Sequence, residues 1–401
     1  MNLFASHEKR YEKADSTLGI AINALSARIG GGVTYLNRLI YYLRKVDNRN
    51  SYYIFVTSNN RRKIISFKDP RFHVIEVRAK FLLQRLLYEQ FALPIVLKQL
   101  GIDILYAPAD TMPLLAPCPT VLGIQNPNIY YDVYIKRTLA EKCKYWALRQ
   151  HAKLSSRIAT RIIFVSETAR EYIAAKLKVD QAKTRAIHHG VELNKFRQVD
   201  QANNPARDNH EFDFGEYILC LSSLARHKNI EMLIAAYSKL DEGLKRQYKL
   251  VIAGRKVSPY CDELLALSQQ LGVNEQVVFT GEVPFEKVPV LYRQAILFVL
   301  PSILETFGIP LIEAMASSVP VIAADATAIP EVVGNAGFLF DLANPDELRA
   351  QMEAVLNDPN LRERLVQSGL ERASLFTWEK CAEETLAVLV SVQSNVKDPD
   401  Q

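Results

Sequence analysis

The stretch LPSILETFGIPLIEAMASSVPVIAA, residues 300–324, decides the fold. It starts at the end of the apolar run AILFVL (295–300), whose length and unbroken apolarity predict a strand buried on both faces. Pro301 ends that strand. A short loop carries Glu305, Thr306, Phe307 and Gly308, and Pro310 suits the first turn of a helix over LIEAMASS. VPVIAA (319–324) then reads as the next strand. The first N–H groups of a helix have no partners inside it, so a strand, a glycine-bearing loop and a helix N-terminus make an anion site. Glu305 precedes that site and Glu313 follows it. Amides for a diphosphate, with carboxylates for sugar hydroxyls, would suit a sugar nucleotide. An acid early in a helix is also common without any ligand, since the macrodipole alone favours it by ~0.3–1 kcal/mol.

Taken whole, the string resembles the Glu-x7-Glu signature of the family 4 glycosyltransferases. It matches at Pro301, Ser302, Glu305, Phe307, Gly308, Pro310, Glu313, Ala314, Met315 and Ala316. The resemblance implies that Glu313 holds the nucleotide ribose and Glu305 the transferred sugar, with the amides around Phe307, Gly308 and Ile309 on the diphosphate. It spans about residues 17–390 and is strongest from 215 onward. It also implies the GT-B architecture, two Rossmann-like parallel-sheet domains facing a cleft.

Upstream of that stretch, YILCLSS (217–223), YKLVIAG (248–254) and VVFTG (277–281) read as strands, and NIEMLIAAYSKL, YCDELLALSQQLG and PFEKVPVLYRQA (284–295) as helices. SSLARHKN (222–229) resembles the family's G-S-L-x-P-R-K-N loop. Lys228 matches its lysine and implies a positive charge on the donor diphosphate, although the pair of basic residues also reads as two solvated charges in a loop. The glycine is Ser222 here and the arginine His227, so Arg226 is displaced by one place. The loop Gly281–Val283 corresponds to the one that meets the base. Ser317 and Ser318 stand where the family has a glycine, and FTWEKCAEETLAVL (376–389) resembles its closing helix, which crosses back to the first domain.

The first half alternates in the same way. TLGIAINAL (17–25), SYYIFVTS (51–58), FHVIEV (72–77), DILYAP (103–108), TVLGIQN (120–126), RIIFVS (161–166) and TRAIHH (184–189) read as strands. Helices are predicted after the Gly30–Gly32 loop, over 80–101 with a break at Pro94, over 135–157 and over ETAREYIAAKLK. Strand alternating with helix means a parallel sheet, and ligands of such sheets bind at the carboxyl ends of strands. Those ends are Gly30–Gly32, Asp110, Gln125–Asn126, Ser166–Glu167 and His189–Gly190. A glycine pair is equally a tight turn, but Gly31 and Gly32 also resemble the family's G-G-x-x-x-Y loop on the acceptor and donor-phosphate side. FVSETARE and IHHGVELNKF resemble two further family segments, the second carrying His189, and Gln125, Asn126 and His189 are expected on the acceptor side. Gln125 and Asn126 replace the usual His-Asp, and an amide cannot exchange protons near neutral pH.

These readings set the domain expectations: a polar leader at 1–16, a first domain at 17–197 and a linker at 198–214. A second domain follows at 215–376, then a closing helix and polar tail at 377–401. A chain of 401 residues is long for one core. No apolar run approaches the ~18–20 residues of a spanning helix, and the leader lacks a signal-peptide core. Cys118, Cys143, Cys220, Cys261 and Cys381 lie far apart, which fits a reducing compartment and not a zinc site. Residues 1–200 hold 32 of the 49 Lys and Arg but only 16 of the 44 Asp and Glu, so this half is basic and the other acidic. Such sorting suits an anionic partner. No nucleic-acid-binding pattern accompanies it, whereas aromatics and bases mingle over 130–157 (Tyr130, Tyr131, Tyr134, Tyr145, Trp146, Lys136, Arg137, Lys142, Lys144, Arg149). That mixture reads either as an anionic membrane surface contact or as a solvated helix with its rings inward.

The function these observations point to is transfer of a sugar from a UDP- or GDP-linked donor to a glycan or lipid-linked acceptor hydroxyl. The resemblance implies retention and a diphosphate that leaves toward Lys228 and Arg226; no D-x-D metal-binding signature stands out near the cleft, so catalysis without a metal or other cofactor is expected. The expected place is the cytoplasm, or the inner face of the membrane. A nucleotide-sugar epimerase of the same architecture, and a silent partner of another transferase, remain open.

Overall fold

The computed structural model describes residues 17–27, 31–65, 67–79, 81–131, 138–197, 212–256 and 259–397. The polar leader, Gly30 and most of the linker (198–211) lie outside them. Among the described residues two compact units emerge, one from those of 17–131 and 138–188 together with Trp378 onward, the other from those of His189–Thr377.

The first unit is built on a seven-stranded sheet in the order β3-β2-β1-β4-β5-β6-β7, all pairs parallel. Its strands are β1 (Gly19–Asn23), β2 (Ser51–Thr57), β3 (Phe72–Val77), β4 (Ile104–Ala107), β5 (Thr120–Ile124), β6 (Arg161–Phe164) and β7 (Thr184–Ala186). Alternate residues serve opposite faces. Ile20, Ile22, Ile54 and Tyr106 join a core with the Gly31–Val46 and Trp378–Lys397 helices, while Ala21, Tyr53, Phe55 and Leu105 pack with Leu93 and Leu97 on the other side. Burial on both faces is why these strands are apolar without alternation.

The second sheet has six strands in the order β10-β9-β8-β11-β12-β13, again all parallel. They are β8 (Tyr217–Leu221), β9 (Lys249–Ala253), β10 (Val277–Gly281), β11 (Ala295–Leu300), β12 (Val321–Ala324) and β13 (Phe338–Phe340).

Several expectations change. The helix over 80–101 does not break at Pro94. It runs as Leu82–Leu87, a π turn at Tyr88–Ala92 and Leu93–Gln99. A proline ring clashes with the carbonyl four residues back, and the wider π turn just before Pro94 makes room for it. The helix expected over 135–157 is Leu139–Ile158, set by a capping box in which Thr138 and Glu141 bond reciprocally; residues 132–137 are not described. The helix over 284–295 contracts to Val288–Arg293. Residues 189–197 join the second unit, not the first. Val191 bridges to Thr377, Phe196 packs its ring on Tyr292, and Arg293 donates to the Lys195 carbonyl at 3.3 Å.

Candidate donor and acceptor sites

In each sheet the strand order reverses direction once, between β1 and β4 and between β8 and β11. Loops leaving the carboxyl ends of such neighbours diverge and leave a crevice for ligand. In the second unit those are the loop with the Arg226–Lys228 turn, after β8, and the loop with Glu305, after β11. Ile303 N–H donates to the His227 carbonyl at 2.9 Å, so backbone fastens one loop to the other. Across this junction Lys228 Nζ meets Glu305 Oε1 at 2.5 Å, with side chains 14% and 12% exposed. Thr327, at a left-handed φ of 50°, accepts the Glu305 N–H on its hydroxyl at 3.0 Å.

Beyond Glu305 the loop turns inward. The buried Phe307 ring lies edge-on to His189 at 5.4 Å and to Phe376 at 5.5 Å. His189, read from sequence as an acceptor-side residue of the first domain, therefore belongs to the second unit, beside the loop that carries Glu305 and Phe307. Gly308 adopts φ 101° at the N-cap of the Ile309–Ala316 helix, a conformation side chains resist, and a Cβ there would stand 3.0 Å from Leu311 Cδ1. Glu313 follows on the same helix, 8% exposed. The Tyr292 hydroxyl lies 3.2 Å from Glu313 Oε2 and 3.2 Å from the Pro310 carbonyl. Burial, with Glu313 alongside, holds the Tyr292 phenol well above its ordinary pKa, so it keeps its proton and donates.

Arg226 is not brought to the Lys228–Glu305 pair. Its guanidinium meets Glu263 Oε1 at 2.5 Å and lies over the Tyr260 ring, whose hydroxyl in turn donates to the Glu231 carboxylate. Lys228 is paired with Glu305, and Arg226 instead fixes the Tyr260–Gln270 helix to the β8 loop. Gly281 takes φ 76° at the end of β10 with open space where a Cβ would go, and Val283 is half-buried just beyond. Gly254 is more demanding: at φ 147° a Cβ would fall 1.7 Å from the Ser222 carbonyl oxygen. Only glycine lets the β9 loop pass that close to the β8 loop.

In the first unit Gly31 and Gly32 open the Gly31–Val46 helix, exposed and with nothing within 4 Å of either missing Cβ. Gln125 and Asn126 sit past β5, and their backbone N–H groups both donate to Asp110 Oδ1 at 3.1 Å. The Asn126 side chain is committed to local structure, since its oxygen accepts from Asn128 N–H as the cap of the Pro127–Tyr130 turn. Asp110 itself is buried at φ 65°, and burial pushes its carboxyl up to about 7 against the pull of the two N–H bonds.

Residues 29–195 match the profile described as Glycosyltransferase Family 4, and residues 204–372 the one described as Glycosyl transferases group 1. The chain belongs to the family 4 glycosyltransferases. Among its relatives is O-antigen chain mannosyltransferase B of Escherichia coli, 34% identical over 45% of this chain and 48% of that protein. O-antigen chain mannosyltransferase RfbU of Salmonella typhimurium is 30% identical over 62% of each. The alignments thus span about half to three-fifths of these curated relatives. Among solved structures, HepE of Anabaena in complex with UDP-glucose superposes with a TM-score of 0.73 at 19% identity, over 93% of this chain and all of that one. This agreement shows the GT-B fold.

Sequence reasoning missed several residues around this candidate site. Tyr292, Thr327 and Gly254 each brace part of this candidate site, yet each acts on a partner distant in sequence. Asp110 was visible as a strand-end acid, and its two amide partners were not. The Tyr260–Glu231 bond and the Arg226–Glu263 pair had no signal, because an acid on an amphipathic helix looks solvated.

Proposed function

We propose that this chain transfers a hexose from a nucleoside diphosphate sugar to an acceptor hydroxyl, with retention, in the assembly of a surface polysaccharide. One observation carries the reading: the buried junction at the β8/β11 switch, where Lys228, Glu305 and the Glu313 helix converge. The acceptor oxygen bonds to the anomeric carbon on the face the diphosphate leaves, the anomeric C–O bond to phosphate breaks, and the leaving oxygen takes the acceptor's proton. Lys228 offsets the growing charge on the diphosphate together with the amides at the start of the Ile309–Ala316 helix. Glu305 then accepts from hydroxyls of the hexose, and Glu313, oriented by Tyr292, from the ribose. No step draws on a metal or other cofactor.

The relatives named as O-antigen chain mannosyltransferases support mannose as the hexose to try first, and the neighbour crystallised with UDP-glucose supports a diphosphate-linked donor. The acceptor is a glycan on a lipid carrier, reached by a protein resting on the inner face of the membrane. The basic first half favours that place. Among the described residues no helix is long and apolar enough to cross a membrane.

The test is a thermal-shift screen with UDP, GDP and their glucose and mannose conjugates, followed by turnover with a lipid-linked saccharide. A donor that binds only the native state raises the midpoint by mass action. A donor-dependent shift with sugar transfer supports the reading. No shift with any nucleotide, or an isomerised donor without acceptor, overturns it.

A further inference from the structure

The helical run from Leu82 to Gln99 exposes an unusual amount of hydrocarbon. Phe81, Leu83, Leu87, Phe91 and Ile95 are each 50–67% exposed, and the last four recur every fourth residue. On a regular α-helix a four-residue spacing drifts by about 40° per step, so such a row would wrap away from any flat surface. The π turn at Tyr88–Ala92 holds more residues per turn and takes back part of that drift, which keeps the row on one side. From Phe81 to Ile95 the row is about 20 Å long. Exposed patches of this kind mark contact sites.

The charges around the row indicate what covers it. Between residues 77 and 102 the only acid is Glu89, which is buried, bonded to Asn23 at 3.2 Å and 3.7 Å from Arg85. Arg78 and Lys98 are exposed at its two ends. The adjoining loop adds Leu115, 76% exposed, and is held in place by Gln90, which donates to the Met112 carbonyl at 3.2 Å and accepts from Leu114 N–H at 3.1 Å. His151 reaches the same Met112 carbonyl at 3.1 Å, which attaches the Leu139–Ile158 helix, with exposed Lys142, Lys144 and Arg157. Two copies of this chain placed face to face here would bring like charges together. An anionic bilayer complements both the hydrocarbon and the bases.

We propose that the Phe81–Ile95 row, with the Leu114–Leu115 loop beside it, is the face by which this protein docks on an anionic lipid surface. The sequence left the rings over 130–157 open as such a contact or as a solvated helix; of those, Tyr130 and Tyr131 are buried and Trp146 is exposed. The bulky apolar groups enter the acyl boundary, and the flanking bases remain at the headgroups. This rests on the reading that the acceptor is carried by a lipid.

The experiment is sedimentation of the full chain with vesicles of phosphatidylglycerol and phosphatidylcholine, against phosphatidylcholine alone, at low and high salt. The wild type should bind the anionic vesicles and bind neutral ones at least tenfold more weakly. The double variant Leu83→Ser/Phe91→Ser should bind anionic vesicles at least about tenfold more weakly, since each side chain withdrawn removes a large apolar area. Both positions face solvent, so its thermal midpoint should match the wild type. The nucleotide-induced midpoint shift, read in the same samples, tests the donor site independently of vesicles. Wild type that fails to bind at low salt, or a variant that binds equally well, overturns the proposal. So does wild type that is dimeric and a variant that is monomeric, which would make the face a contact between copies.

Discussion

Lys228 and Glu305 neutralise each other across the β8/β11 junction, Nζ to Oε1 at 2.5 Å, although 77 positions separate them. Removing one partner leaves the other partly buried and unmatched. Lys228→Met should therefore cost about 1.5–3 kcal/mol in urea unfolding. Adding Glu305→Gln should cost less than the sum of the singles, with a coupling of about 0.5–3 kcal/mol. In turnover, Lys228→Met should lose about 100-fold or more if the ammonium serves the leaving diphosphate. Strictly additive stabilities would mean that the pair contributes nothing.

Glu313 and Tyr292 form a second linked pair. Glu313→Gln should weaken nucleoside diphosphate binding by about 10–100-fold, the range expected for a charged hydrogen bond. Tyr292→Phe removes the donor that orients the carboxylate, and should shift affinity in the same direction by a smaller factor. Titration calorimetry measures both. Equal affinity in wild type and Glu313→Gln would remove the ribose role.

Three glycines with left-handed φ make a graded series. Gly281→Ala has open space and only backbone strain to bear, about 1–2 kcal/mol. Gly308→Ala adds pressure on Leu311, a flexible side chain that can give way. Gly254→Ala drives a Cβ into the Ser222 carbonyl and should be the most destabilising of the three. Thermal midpoints should fall in the order Gly281, Gly308, Gly254; any other order would contradict the geometry.

Asp110 predicts a pH dependence. Its carboxyl is raised to about 7 in the folded protein, against about 3.9 in an unfolded chain. The folded state thus binds the extra proton between those values, and stability contributed by the neutral form is full below about 4 and lost as pH rises through 7. Asp110→Asn keeps an oxygen for the Gln125 and Asn126 amides but cannot ionise. From pH 5 to pH 8 its stability relative to wild type should improve by about 1–3 kcal/mol. A difference that does not change with pH would show that Asp110 is ionised throughout.

The central strands were legible because burial on both faces writes them as short apolar runs. β10, Val277–Gly281, coincides with the run read for it. β13 was not assigned, since the three residues Phe338–Phe340 are too few to show a pattern. Glu305, Glu313 and Lys228 were legible as members of a motif, but their partners were not. Tyr292 pairs with Glu313 and Thr327 with Glu305 only after the sheet order is set. His189 was misplaced for a related reason: its chain neighbours lead out of β7, while its ring packs on Phe307 and Phe376. The exposed row on Leu82–Gln99 was invisible because an apolar helix reads as core until its neighbours are known.

The Trp378–Lys397 helix, which completes the first core with Trp378, Cys381, Ala382, Leu389 and Val392, leaves the ribosome only after every strand of both sheets. Until then Tyr35, Leu39 and Leu43 on the Gly31–Val46 helix lack part of their packing. The second unit can finish folding during synthesis, because every residue of its sheet has already emerged. The first must wait with a greasy seam open, and in that interval it is the half most in need of a chaperone.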